Sequence, residues 1–213
     1  QKIVLARETN FRTQEALDSV SVLRHLLARA FGTFGFCFHP VADRAFIGAA
    51  PERLYRREGL GLWTEALAGT RRRGKTPEED QAFGEALLRS GKDLREHGIV
   101  VEALRDALAP FCDRIDALPA PGVMPLRHVQ HLHTPIEASL KEVDVDEQLV
   151  AALHPTPAVG GAPREAALAW IAAEEPFDRG IYAAPVGWVG RDSAEFCVAI
   201  RSGLVQNDNI TLY

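Results

Sequence analysis

The residues able to do chemistry lie far apart in this 213-residue chain, and each has an inert reading beside the active one. Lys2 opens an alternating, mostly apolar stretch, K-I-V-L-A-R (2–7). A lysine in that setting ordinarily snorkels to solvent. Enclosed in a pocket, its ammonium loses hydration, its pKa falls and the neutral amine becomes a general base. Bringing a lysine from about 10.4 to about 7 takes roughly 4–5 kcal/mol, so only an enclosed site would do it. Glu52, in A-A-P-E-R-L (49–54), follows a strand-like run and a proline that bends the chain. It is either a surface carboxylate paired with Arg53 or Arg56, or an acid at a sheet end placed to protonate a leaving group. Glu65, in T-E-A-L-A-G-T, has the same two readings. The stretch S-G-K-D-L-R-E-H-G-I-V-V (90–101) starts a helix, with Ser90 as N-cap and Asp93 as its capping partner. Leu94, Val101 and Leu108 recur every seventh residue and predict its buried face, while Asp93, Glu96 and Val100 share another. Two carboxylates one turn apart are a solvated ionic face or half of a divalent-cation site, since hard cations take carboxylate oxygens.

The seven histidines include His128, His131 and His133, but in a strand His131 and His133 share one face and His128 takes the other. No zinc spacing appears. Gly69, Gly74, Gly160 and Gly161 could line an anion pocket with backbone N–H groups, without any Walker or dinucleotide fingerprint. Cys37, Cys112 and Cys197 are odd in number and widely spaced, which predicts reduced thiols in the cytoplasm and not a disulfide framework. A formal net charge of −5 argues against a nucleic-acid or anionic-membrane surface, and Arg71–Arg73 is too short a basic run to change that. No run approaches the roughly 18 apolar residues of a membrane span.

The elements that must position these groups follow from periodicity. Strands are predicted at Lys2–Arg7, around Phe34–Phe38, at Ala45–Ala50 and at Leu60–Trp63, with a helix within Thr13–Phe31. Three successive strands joined by short turns indicate an antiparallel meander. Thr64–Gly74 reads as a glycine-punctuated loop. Thr76-Pro77-Glu78-Glu79 then starts a helix that Gly91 separates from the Ser90 helix. Val123–His131 is extended, Val145–Leu153 is helical, and Pro157–Pro163 opens a helix at Arg164–Glu175. Two strands, Ile181–Val189 and Ala194–Arg201, flank the turn Gly190–Ser193. No domain boundary is evident, so residues 1–213 form one unit. It begins without Met and stops in strand-like sequence, as a piece of a longer chain would.

Taken together, eight stretches in order resemble the chorismate-utilising enzymes: isochorismate synthases, salicylate synthases, anthranilate synthase component I and aminodeoxychorismate synthase component I. They are K-I-V-L-A-R, A-A-P-E-R-L, T-E-A-L-A-G-T-R-R-R-G, S-G-K-D-L-R-E-H, V-Q-H-L-H-T-P, H-P-T-P-A-V-G-G-A-P, F-D-R-G-I-Y-A-A-P-V-G-W and E-F-C-V-A-I-R-S. The resemblance implies an α+β fold of large, mostly antiparallel sheets packed face to face with helices outside. It implies Lys2 as the base that activates water against C2 of chorismate and Glu52 as the acid that protonates the departing C4 hydroxyl. Glu96 matches a Mg²⁺-binding glutamate whose metal holds the ring carboxylate. Tyr182 and Arg201 match residues that grip the other carboxylate, and Gly69, Thr70, His131 and Gly161 match positions lining the pocket. Two carboxylates on one substrate call for a cation at each end, here Mg²⁺ and an arginine fork.

Ammonia-using relatives usually carry Gln where this chain has Lys2, so the resemblance implies a hydroxyl nucleophile and no glutamine amidotransferase subunit. H-P-T-P-A-V-G-G and V-Q-H-L-H-T-P are more similar to isochorismate synthases of menaquinone or siderophore pathways, with salicylate synthase as the runner-up. Family chains extend further at both ends and carry a second metal-binding glutamate beyond the region matching Tyr213. A truncated, non-catalytic fragment is therefore the competing expectation.

Overall fold

The computed structural model describes all of residues 1–213. In chain order the elements are β1 (Lys2–Ile3), β2 (Thr9–Arg12), α1 (Ser19–Leu27), β3 (Phe34–Val41), β4 (Arg44–Ala50), β5 (Arg53–Glu58) and β6 (Gly61–Arg72). They continue with α2 (Pro77–Arg89), α3 (Gly91–Leu108), β7 (Cys112–Ala117), β8 (Gly122–Pro125), β9 (Val129–Leu140) and α4 (Asp146–Leu153). The last are β10 (Gly161–Ala162), α5 (Arg164–Glu174), β11 (Pro185–Val189), β12 (Ser193–Val198), β13 (Ser202–Gln206) and β14 (Asn209–Leu212).

Two large sheets, antiparallel throughout, carry the α+β fold. One runs β11-β12-β5-β6-β9-β7 with β8 also on β9; the other runs β2-β14-β13-β4-β3. Leu62, Ala66, Ala68 and Ile136 on one face of the larger sheet form the main core with Val100, Leu104 and Leu108 of α3 and Leu149 and Leu153 of α4. A smaller core of Ala45, Ile47 and Val205 lies under Leu23 of α1. Arg57 is 1% exposed, and its guanidinium grips both oxygens of Asp146, which also accepts from the Tyr55 hydroxyl, so β5 is tied to the first residue of α4.

The helix-start signals hold in detail. The Thr76 hydroxyl accepts from the Glu79 N–H with Pro77 at N1, and the Ser90 hydroxyl accepts from the Asp93 N–H, so the two helices part at Ser90. Three expectations need correction. Thr64–Gly74 is not a loop: it lies mostly within the twelve-residue β6, held between β5 and β9, with Gly69 at a register shift. The buried face of α3 is Asp93, His97, Val100, Leu104 and Leu108, not the Leu94–Val101 row. Two of the polar contacts there are made across to the sheet: Arg71 donates to Asp93 at 2.7 Å, and His97 Nε2 meets Thr134 Oγ1 at 2.8 Å, while the buried His97 Nδ1 has no partner. Only Lys2–Ile3 of the first stretch is paired in a sheet, against Gly161–Ala162. The alternation through residue 8 is nonetheless real, with the even positions turned inward.

Candidate active site

Two crossings carry the chain between the large sheets, and the site sits where they meet. Pro51-Glu52 joins β4 to β5, and Ala199–Arg201 joins β12 to β13. The crossings are bonded to each other, since the Val198 N–H donates to the Glu52 carbonyl at 3.0 Å and the Ala49 N–H to that of Arg201 at 3.2 Å. A cavity of about 420 Å³ opens beside them, within the usual range for small-molecule sites. Lys2, Glu52, Gly69 and Thr70 line it, together with His131, Tyr182 and Arg201. Seven of the nine residues singled out from sequence thus converge on one cavity.

Glu52 is 6% exposed. Burial raises its pKa from 4.5 to about 7, opposed by the Thr156 hydroxyl, which donates to Oε1 at 3.4 Å. The carboxyl is therefore largely protonated up to neutrality, the state a general acid needs. Lys2 is shifted the other way: burial lowers its pKa, while Glu96 and Glu52 pull it back up. Desolvation disfavours the charged form of each. Glu65 stands next to this pair as support, accepting from the Arg53 N–H and bonding His133 Nε2 at 2.9 Å.

Arg201 supplies the cavity's available cation. Its guanidinium has no hydrogen bond or ion pair within the protein, and its backbone sits at φ +55. A non-glycine residue held in the left-handed region is a strained conformation that recurs at binding sites. The sequence placed Arg201 and Tyr182 in strands; β12 ends at Val198 and β11 begins at Pro185, so both lie in the bends. His131 Nδ1 lies 3.0 Å from Thr70 Oγ1 and 3.3 Å from the Gly69 carbonyl. Because a carbonyl only accepts, the proton is on Nδ1 and Nε2 remains an acceptor. Burial lowers this histidine's pKa, which favours the neutral ring.

Two of the nine do not line the cavity. Gly161 acts from behind: at φ +117 it pairs with Ile3, and a Cβ there would come 2.4 Å from the Lys2 carbonyl, so only glycine lets the Lys2 strand approach. Glu96 lies on α3, partly exposed and 3.6 Å from Lys92 Nζ, near enough to Lys2 to raise its pKa. Asp93 is committed to Arg71, Arg72 pairs with Glu79 and Arg73 with Asp80, so the basic run is neutralised. No three His, Cys, Asp or Glu side chains gather as a metal cluster. Magnesium keeps several waters and takes only one or two protein carboxylates, so Glu96 fits as a single ligand from this chain.

Sequence reasoning missed Arg179 and Tyr213, which also line the cavity. Tyr213 stacks on Tyr182 with ring centroids 5.2 Å apart. Arg179 stands inside the stretch F-D-R-G-I-Y-A-A-P-V-G-W, but the Val4 carbonyl that it holds beside the cavity is 175 residues away in sequence.

A protonated acid, a desolvated amine and an unpaired arginine facing one cavity between two antiparallel sheets are the arrangement of an acid–base site for a small anion. The chain belongs to the chorismate binding enzyme family, which it matches over residues 1–213. It is 47% identical over 206 residues to the salicylate biosynthesis isochorismate synthase of Pseudomonas aeruginosa, covering 96% of this chain and 43% of that protein. It is 42% identical over 205 residues to the chloroplastic isochorismate synthase 2 of Arabidopsis thaliana, covering 96% and 36%. Its structure superposes on MenF, the menaquinone-specific isochorismate synthase from Escherichia coli, with a TM-score of 0.93 at 36% identity, covering 99% of this chain and 49% of that one. The chain thus spans less than half the length of these relatives.

Proposed function

We propose that this chain carries the acid–base centre of an isochorismate synthase, which converts chorismate to isochorismate by adding water at C2 and expelling the C4 hydroxyl. The observation that carries this reading is the opposed perturbation of Glu52 and Lys2 in one cavity. Neutral Lys2 takes a proton from the attacking water; protonated Glu52 gives its proton to the departing oxygen; the double bond migrates between the two carbons. Arg201 and Tyr182 hold the carboxylate remote from the metal, with the Arg201 fork free to accept it. Thr70, His131 and Gly69 line the wall that orients the ring. Glu96 would hold Mg²⁺, which when bound neutralises the ring carboxylate.

A lysine base for water leaves no need for an amidotransferase subunit, and the reading has neither a nucleic acid nor a membrane as partner. Three free cysteines, two of them buried, fit a reducing cytoplasm. Menaquinone or siderophore synthesis would consume the product. Incubation of the intact protein with chorismate and Mg²⁺, with chromatographic resolution of products, is expected to yield isochorismate. Salicylate with pyruvate, anthranilate in the presence of ammonia, or no Mg²⁺-dependent turnover would each overturn the proposal.

A further inference from the structure

Lys2 needs a fixed backbone, yet the sheet holds only two residues of its strand. The pairing with Gly161–Ala162 ends at Ile3, and no strand runs alongside residues 4–6. Two of their backbone groups are instead engaged by side chains from the far end of the sequence. Arg179 Nη2 donates to the Val4 carbonyl at 2.9 Å, and the Ala6 N–H donates to Glu175 Oε1 at 2.8 Å. A carbonyl at one position and the N–H two residues on are the groups that a single residue of a parallel neighbouring strand would engage. The Glu175–Arg179 pair takes that residue's place.

The pair is itself rigid. Arg179 Nε donates to Glu175 Oε2 at 2.7 Å and Nη2 to Oε1, closing a two-pronged fork, while Nη1 donates to the Val159 carbonyl at 2.9 Å. Val159 stands two residues before the Gly161 that pairs with β1, so one guanidinium joins both strands that hold Lys2. The Glu175 side chain is 3% exposed. Burial works against its ionisation, but the Arg179 bonds and the Ala6 N–H outweigh it and lower the carboxyl's pKa. Although Arg179 lines the cavity, its donors are spent inside the protein, unlike those of Arg201.

We propose that Glu175 and Arg179 form a positioning clamp that stands in for a missing strand, fixing the backbone of residues 4–6 and thereby the reach of Lys2. This rests on the acid–base reading of Lys2 given above. The clamp touches no reacting atom in that scheme, so it acts on the orientation of the base and not on substrate affinity.

The test is the double variant Glu175→Leu/Arg179→Met in the intact protein. It conserves net charge and approximate volume, and replacing a buried ion pair by apolar side chains is often neutral for stability. The expected result is a kcat for isochorismate formation reduced by about 100-fold, the scale of a misplaced catalytic group, with KM for chorismate within about threefold. Amide hydrogen exchange at Ala6 should accelerate by at least about tenfold as its acceptor is lost. A kcat within about threefold of the unmodified protein, or unchanged exchange at Ala6, overturns the clamp. If the double variant does not fold, Arg179→Lys, which keeps the charge but loses the fork, should still lower kcat at constant KM; an unchanged kcat then overturns the proposal. The exchange measurement needs no turnover, so inactivity of the unmodified protein would sink the functional reading while exchange still decides whether the clamp exists.

Discussion

Glu52→Gln offers a quantitative test of the buried acid that does not depend on substrate. The structure holds the Glu52 pKa at about 7 against an ordinary 4.5. At 1.36 kcal/mol per pH unit, that gap is worth about 3 kcal/mol of folding free energy. Below pH 4.5 the carboxyl is protonated in both folded and unfolded chains and contributes no pH dependence. Between 4.5 and about 7 the unfolded chain releases its proton while the folded chain keeps it, so stability falls as pH rises. Above about 7 both forms are ionised and the loss is complete. Gln has the same shape, can still accept from Thr156, and never ionises. Urea unfolding of both proteins from pH 4.5 to 8.5 should therefore show a difference that grows in favour of the variant by about 3 kcal/mol, with most of the change between pH 5 and 7. A difference that stays flat with pH, or one that favours the unmodified protein at high pH, would show that Glu52 is not held protonated by burial, and the general-acid argument would fail with it.

Thr156→Val removes the one hydroxyl that lowers the Glu52 pKa, so the pH midpoint for loss of the protonated-carboxyl infrared band, isolated as a difference against Glu52→Gln, should move above about 7; a downward move would contradict the hydrogen-bond assignment. Asp146→Ala strands the fully buried Arg57 guanidinium without its carboxylate and should destabilise the protein by about 3–5 kcal/mol in urea unfolding. A loss under about 1 kcal/mol would mean that the charge finds water.

The sequence revealed most where the physics is local. Thr76-Pro77-Glu79 and Ser90 are caps whose partners lie three residues away, and both helices begin where those residues place them. The shared face of His131 and His133 on β9 likewise follows from strand alternation alone, as the half-buried positions between Gln130, Leu132 and Thr134 show. Reading failed where a distant partner overrides local preference. Gly69 and the arginines of T-E-A-L-A-G-T-R-R-R-G suggest a loop, but β6 is clamped by β5 and β9, and a glycine at φ +79 simply absorbs a bulge there. Apolar heptad spacing points to Leu94 and Val101 as the buried face of α3; the true buried row contains Asp93 and His97, whose partners on β6 and β9 no helical periodicity could reveal. The extended run after Lys2 was visible, whereas the side chains that hold it come from residues 175 and 179. Motif resemblance located Lys2, Glu52, Tyr182 and Arg201 because it carries long-range information that propensity lacks.

The opposed shifts of Lys2 and Glu52 have a consequence that neither residue has alone. A neutral amine with a protonated carboxyl binds the same number of protons as an ammonium with a carboxylate, so the two arrangements are tautomers of one state and pH does not choose between them. Mutual attraction favours the ion pair, since each group pulls the other's pKa toward ionisation. Desolvation favours the neutral pair, and burial is the largest influence on both residues. In the proposed reaction the neutral pair starts the forward direction, and turnover leaves the ion pair, which is the starting form for the reverse. Resetting the site therefore requires one proton to pass from Lys2 to Glu52 with no net exchange with solvent. In that proposed cycle a desolvated cavity would favour the reset, because burial opposes the charged form of both groups. Water exclusion would then do more than shelter the substrate: it would favour the tautomer that begins the next turnover.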